Sequence, residues 1–392
     1  MTNYKVEKAD TRAKYEGLRD LWVRVFGDEP AFVDHVYRLF GAEPDPAGKT
    51  FGTGAESADI AGYVICNEAG RVVSALTCYK AGTFVEPESM TADNSAQTLS
   101  TGEHGAGRPV YVSYAVCTDP EYRGLGLGGQ LTEYVKNVVT AAPGGGISLV
   151  SPAEESLIDF YRKLGYGETC FAREQEAFAE SDEEVFPIEI DWDTDEDDGP
   201  PVIIEYEVEA VDVSTYNMYR ERFLEGVPHV AMSPAMLELV KSVSLGGDGM
   251  LVVNGGDAIC VVSEAPEPGD EEFDAKEIGD EAYGAEELGV KEISDEARGA
   301  EVAERSGRPL MLNELLVSPA LLALSEEIAG EIASGLAKRF GLEKIIYRMP
   351  ADGGCQLIST GDGCQSISTG GGCQSMTAGA GGAEFYFGFP VE

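Results

Sequence analysis

The densest chemistry in the sequence lies in Ala115-Val116-Cys117-Thr118-Asp119-Pro120-Glu121-Tyr122-Arg123-Gly124-Leu125-Gly126-Leu127-Gly128-Gly129-Gln130-Leu131. An apolar strand runs into a glycine-rich turn that opens an amphipathic helix. Glycines let backbone N–H groups come close to a phosphate, and the positive end of the helix dipole favours the anion. Arg123 adds a guanidinium at the same place. These residues predict a ligand that carries a pyrophosphate. A P-loop is excluded, because no Gly-Lys-Ser/Thr follows the glycines. The dinucleotide pattern GxGxxG is present at Gly124, Gly126 and Gly129, but the match is weak. The turn lies about 120 residues into the chain, and no acidic residue ends the next strand to hold a ribose.

The elements that must position this turn are legible from periodicity. Thr11 to Phe26 reads as a helix with Leu18, Leu21, Trp22, Val25 and Phe26 on one face, capped by Asp10 or Thr11 and ended by Gly27. A second helix covers about 29–40. Ile60 to Cys66 and Val72 to Cys78 read as strands joined at Asn67-Glu68-Ala69-Gly70, a hairpin signal. Residues 86–109 read as a polar loop, Val110 to Cys117 as a strand, and about 126 to 140 as the helix after the turn. Gly146 to Val150 is a strand, Glu154 to Leu164 an amphipathic helix, and Gly165-Tyr166 opens another strand. The order α-α-β-β-β-α-β-α-β predicts a mixed α/β domain over 1–180.

Composition narrows the classes. The 392 residues carry a formal net charge of −42, with 43% hydrophobic residues, enough for packed cores. Segments 181–200 and 264–305 hold 22 of those 42 charges, and read as an acidic linker and a solvated insertion. Such acidity disfavours nucleic acid and anionic membrane as partners. No run of about 18 apolar residues marks a membrane span, and no apolar leader opens the chain, so the expected compartment is the cytoplasm. The eight cysteines form no CxxC pair, and only His35, His104 and His229 are histidines, so no metal site is expected. Gly354-Cys355-Gln356, Gly363-Cys364-Gln365 and Gly372-Cys373-Gln374 open three nine-residue units, read as an expanded Gly/Cys repeat loop over 352–383.

Arg123-Gly124-Leu125-Gly126-Leu127-Gly128 resembles the R/Q-x-x-G-x-G/A signature of the GNAT acetyltransferases. Asp159-Phe160-Tyr161-Arg162-Lys163-Leu164-Gly165-Tyr166 resembles the second motif of that family, a helix ending in Tyr-x-x-x-Gly-Phe/Tyr. The resemblance covers about 1–180 and implies acetyl-CoA as cosubstrate, with no metal. It implies that Val116, Cys117 and Thr118 pair through their backbone with pantetheine. The turn Gly124, Leu125, Gly126, Leu127, Gly128 and Gly129, with Arg123, would cradle the pyrophosphate. It further implies direct transfer of the acetyl group to a neutral amine, with Tyr161 as general acid. A phenol of pKa about 10 would then protonate a thiolate whose conjugate acid lies near 8.5. Many members carry Asn seven residues before the tyrosine; here that position is Glu154.

The order of elements recurs after the linker. Tyr216 to Leu224 and Pro234 to Val243 read as helices, and Met250 to Asn254 and Ala258 to Ser263 as a hairpin. Leu310 to Val317 reads as a strand, Ala320 to Phe340 as a long helix, and Lys344 to Arg348 and Glu384 to Val391 as strands. Leu315-Leu316-Val317-Ser318-Pro319 echoes Val116-Cys117-Thr118-Asp119-Pro120, but no arginine or glycines follow. A degenerate second GNAT fold over 201–392, unable to bind coenzyme A, is expected. One active and one degenerate copy resembles the Eis family (enhanced intracellular survival proteins), here without its sterol-carrier-like domain. In that family the terminal carboxylate reaches the site as base, which implies a role for Glu392; the other reading, favoured by the apolar ending, is a last strand that merely completes a sheet. The substrate implied is a primary amine of a cationic small molecule or a lysine side chain, and a homo-oligomer is compatible. The alternatives are a non-catalytic acyl-CoA sensor and a scaffold whose acidic insertion recruits a basic partner.

Overall fold

The structure is a computed structural model that describes residues 4–44, 51–52, 59–86, 107–142, 144–152, 155–179, 207–265, 310–322, 328–350 and 374–378. They group into two compact units, Met1–Arg173 with Leu224–Val240 and Pro350–Glu392, and Glu174–Phe223 with Lys241–Met349.

The first unit opens with β1 (Val6–Lys8), α1 (Arg12–Phe26) and α2 (Pro30–Leu39). Thr11 caps α1 by accepting from the Lys14 N–H, and Gly27 ends it in the left-handed region at φ 79°, where a glycine escapes the Cβ penalty. Tyr15, Leu18, Leu21 and Trp22 are the buried face of α1, and each such burial contributes about 1.5–3 kcal/mol. Pro30 starts α2 at a position where its missing N–H costs nothing. Strands β2 (Ile60–Cys66), β3 (Val72–Val85) and β4 (Arg108–Thr118) follow as an antiparallel meander. Asn67 shapes the β2–β3 turn, its Oδ1 accepting from the N–H groups of Ala69 and Arg71. Then come α3 (Leu127–Thr140), β5 (Ile147–Val150), α4 (Ile158–Lys163) and β6 (Gly167–Phe178).

Strands β1, β2, β3, β4 and β5 are neighbours in that order, and β5 is parallel to β4. The Phe40–Tyr79 and Trp22–Tyr114 ring pairs place α1 and α2 on one face of this sheet. Leu127, Leu131, Val135 and Val139 of α3 pack on Ile65, Val73, Leu76 and Cys78 from the other.

Two strands from later in the chain complete the unit. His229–Met232 pairs antiparallel with residues 82–85 of β3. Gly82 makes this approach feasible, because a Cβ there would sit 2.0 Å from the Ala231 carbonyl oxygen. Gln374–Ala378 lies between β5 and β6, pairing with both. It falls in the third Gly-Cys-Gln unit, within the stretch that composition alone reads as loop. Ladder hydrogen bonds on both edges outweigh the weak strand preference of Gln, Ser and Ala.

The second unit contains residues 174–178 of β6, then β7 (Val208–Ala210), α5 (Val213–Phe223), β8 (Met250–Val253), β9 (Ala258–Glu264), β10 (Leu310–Val317), α6 (Pro319–Leu322), α7 (Ile328–Arg339) and β11 (Lys344–Pro350). Strands β7, β8, β9 and β10 form an antiparallel series, and β11 is parallel to β10. The hairpin β8–β9, strand β10, helix α7 and parallel strand β11 repeat the order of β2–β3, β4, α3 and β5. Helices α1 and α5 also share a tyrosine and an arginine one turn apart. Tyr15 and Arg19 bind Asp34 at 2.6 and 3.2 Å. Tyr216 and Arg220 bind Glu314 at 2.5 and 3.2 Å in a fully buried ion pair. Ile328, Ile332 and Leu336 of α7 pack on Val262, Leu312 and Leu315 in the core of this unit.

The helix expected over Glu154 to Leu164 is broken. Glu155–Leu157 is a 3-10 turn, and only Ile158–Lys163 is α-helical. Of the long helix expected over Ala320 to Phe340, α6 and α7 are described, and residues 323–327 between them are not. The acidic linker, the insertion beyond Ala265, the first two Gly-Cys-Gln units and the strand expected at Glu384 to Val391 lie outside the described residues. Among the described residues no helix is long and apolar enough to cross a membrane.

Candidate active site

The site begins where β4 and β5 part. Their parallel pairing covers Val110↔Ile147, Tyr111↔Ser148 and Val112↔Leu149. Beyond Val112, β4 runs on to Thr118, and no further pairing to β5 is present among the described residues. A bulge sits on this stretch, because Ala75 faces Cys117 while Thr77 faces Tyr114. Within it Ala115 adopts φ 49°, a left-handed conformation that costs a non-glycine residue about 1–3 kcal/mol. The bulge and the end of the pairing with β5 leave this stretch of β4 without a second strand partner among the described residues, although the Cys117 carbonyl accepts from Ser74 Oγ at 2.9 Å and that of Thr118 from Arg123 Nε at 3.4 Å. The side chains there face inward: Cys117 is buried, and the Thr118 hydroxyl lies 2.8 Å from Ser74 Oγ.

The turn after β4 is braced from below. Asp119, 3% exposed, accepts from the Glu121 N–H and caps the 3-10 turn Pro120–Tyr122. Its Oδ2 also accepts from Arg24 at 2.8 Å and Arg71 at 3.0 Å. Arg71 lies over the Tyr122 ring, and Asn67 donates to the Tyr122 hydroxyl at 3.1 Å. Gly124 and Gly126 then take φ 78° and 74°, with no atom within 4 Å of where a Cβ would stand. Gly126 is the N-cap of α3 and offers no side chain to its first-turn amides. Those amides therefore point out of the helix end uncapped, beside an exposed Arg123, which is an arrangement that attracts an anion.

The residues singled out by the motif divide into two groups. Gly124, Leu125 and Gly126 form the turn, with Leu125 57% exposed. Leu127, Gly128 and Gly129 form the first turn of α3, where Leu127 points into the core and Gly129 gives room to Phe160 of α4. Lys136 of α3 donates to the Leu164 carbonyl and ties the end of α4 to the same helix. Glu154 and Glu392 lie outside the described residues.

Tyr161 is held on α4 between the rings of Phe160 and Tyr166, at 5.1 and 5.9 Å in edge-to-face contact. Val150 at the end of β5 packs against it. Burial pushes its phenol up to about 12, so it keeps its proton at any physiological pH. Tyr166 is also raised by burial, and its hydroxyl lies 2.9 Å from Ser148 Oγ on β5. On the opposite face of the sheet, Trp22 donates to Asp28 at 2.6 Å and meets the ring of Tyr114 edge to face. Asp119, its arginines and Asp28 were not found from sequence. They are scattered polar residues whose convergence needs the fold. Among the described residues no group of His, Cys, Asp and Glu is arranged to hold a metal ion.

Residues 57–168 match the family described as acetyltransferase (GNAT) domain. The fold is similar to the GCN5-related N-acetyltransferase from Anabaena variabilis, at 13% identity and a TM-score of 0.51, over 96% of this chain and 72% of that one. It is similar to the GCN5-related N-acetyltransferase from Kribbella flavida, at 13% identity and a TM-score of 0.50, over 96% and 72%. Eis1 from Mycobacterium abscessus aligns at 13% identity and a TM-score of 0.48, over 90% and 67%. No curated protein matches the sequence.

Proposed function

We propose that this protein is an acetyl-CoA-dependent N-acetyltransferase that moves an acetyl group directly onto a primary amine, with Tyr161 as general acid. The observation that carries this reading is one continuous arrangement. An uncapped helix end with two left-handed glycines and Arg123 adjoins the parted strands β4 and β5, and α4 holds Tyr161 beside β5.

Acetyl-CoA, when bound, supplies an activated thioester. The α3 amides and Arg123 suit its pyrophosphate, and the backbone of β4 beyond its last pair with β5, at Val116, Cys117 and Thr118, suits the amides of its pantetheine arm. Tyr161 holds the proton for the departing sulfur. At a phenol pKa of about 12, transfer to a thiolate near 8.5 in water runs uphill by about 3.5 units, roughly 5 kcal/mol. The same burial raises the conjugate acid of a thiolate leaving there, which narrows the gap. The phenol thus acts by donating a hydrogen bond as sulfur charge develops, with proton transfer completing late.

The substrate we propose is a cationic small molecule or a lysine side chain. Asp28, which accepts from the Trp22 indole N–H and lies near Tyr114, is a carboxylate that suits an ammonium group, and the acidic chain favours it at longer range. We also propose that the chain is a tandem of GNAT folds whose second copy is degenerate. In support, α6 follows Ser318 directly, without left-handed glycines. Titration calorimetry with coenzyme A tests both points. The expected result is one site per chain, abolished or strongly weakened by Gly126→Ala. Two equivalent sites would overturn the degenerate second copy, and none would overturn the acetyl-CoA reading.

A further inference from the structure

Ser113 is the first residue of β4 beyond the last pair with β5, Val112↔Leu149, so it stands at the apex of the splay. Residues paired across a sheet share a face, and so do residues two apart on one strand. Tyr111 pairs with Ser148, which therefore puts Ser113 and Ser148 on one face. Cys78, the cross-strand partner of Ser113 on β3, belongs to the core under α3 and identifies that face as the one carrying α3.

Three hydroxyls meet here, and they are not equivalent. Ser148 Oγ and the Tyr166 hydroxyl satisfy each other at 2.9 Å. Ser113, 6% exposed, neighbours the same Tyr166 hydroxyl, and its buried Oγ completes no hydrogen bond among the described residues. A buried hydroxyl left without a partner is destabilising, and native folds keep few of them. Tyr161 stacks edge to face on Tyr166, so this hydroxyl stands one ring away from the proposed general acid.

We infer that the Ser113 hydroxyl is a binding contact for the acyl-pantetheine end of acetyl-CoA, at the apex between β4 and β5. That end of the molecule presents amide and thioester oxygens and an amide N–H, and a serine hydroxyl can donate to the one or accept from the other. The inference rests on the acetyl-CoA reading and adds a side-chain contact to a pantetheine subsite otherwise made of backbone.

The test combines thermal melting with calorimetric titration of acetyl-CoA into the full-length chain, for the wild type, Ser113→Ala and Ser148→Ala. Ser113→Ala removes a hydroxyl that the described residues do not satisfy. It should melt no lower than the wild type without ligand, yet bind acetyl-CoA about three- to tenfold more weakly. Ser148→Ala strips Tyr166 of its partner and should lower the melting temperature. Wild-type affinity in Ser113→Ala, or a lower melting temperature accompanying its weaker binding, overturns the inference. Failure of the wild type to bind acetyl-CoA at all would instead count against the acetyl-CoA reading itself.

Discussion

Replacing Asp119 by alanine tests how the turn before α3 is held. The carboxylate is buried, caps the Pro120–Tyr122 turn through the Glu121 N–H, and accepts from two arginines on separate elements. Loss of the cap costs about 1 kcal/mol. Arg24 and Arg71 are half exposed, so each contact contributes about 0.5–1 kcal/mol after solvent screening. Together these come to roughly 2–3 kcal/mol. For a domain of about 150–250 residues, 1 kcal/mol shifts the melting temperature by about 2–4 °C, so a fall of about 5–10 °C is expected. The turn leading to Gly124 also loses its anchor to α1 and to the β2–β3 hairpin. In steady-state assays KM for acetyl-CoA should therefore rise several-fold while kcat at saturation stays within about twofold, since Tyr161 is untouched. A melting temperature within about 1 °C of wild type, with unchanged KM, would refute the brace.

Two further outcomes follow from the packing and titration of the first unit. Gly82→Ala would place a methyl 2.0 Å from the Ala231 oxygen and 2.9 Å from its carbonyl carbon, both backbone atoms. The pairing with His229–Met232 should then open, with a loss of about 1–3 kcal/mol by chemical denaturation; an unchanged midpoint would show that this strand does not dock. The Tyr161 phenol titrates near 10 when unfolded and at about 12 when folded, so its neutral form stabilises the fold fully below pH 10. That contribution, about 3 kcal/mol, is lost as pH rises towards 12. Tyr37, Tyr79 and Tyr114 are raised by burial in the same direction and should steepen the loss. Denaturation curves at pH 9, 10 and 11 should show falling stability, and a flat profile would contradict these burials.

Local signals were read well where local chemistry decides. Thr11 and Gly27 bound α1, Asn67 and Gly70 turn the hairpin, and Leu310–Val317 is a strand at the residues expected. Gly124 and Gly126 were legible as the turn into α3, and both take the left-handed backbone that glycine favours. What escaped depends on distant partners. Nothing in His229–Met232 or Gln374–Ala378 says that the first unit claims them, because strand pairing across more than 140 residues leaves no periodic trace. Residues 155–164 carry a helical pattern, yet the first turn tightens to 3-10 and shortens α4. Ser113 reads as an ordinary strand serine until the parting of β4 from β5 shows that it stands at an apex. Asp119 sits inside the recognised motif, but its work is done through Arg24 and Arg71, 95 and 48 residues away in sequence.

The most direct measurement is amine-dependent release of thiol from acetyl-CoA, corrected for hydrolysis, over aminoglycosides, polyamines and lysine peptides, with wild type and Tyr161→Phe side by side. The expected result is turnover with at least one cationic amine, reduced about 10²- to 10⁴-fold in Tyr161→Phe, with KM for acetyl-CoA little changed. Thiol release that no amine raises above background, or a Tyr161→Phe protein as fast as wild type, would contradict acetyl transfer by Tyr161 at this site.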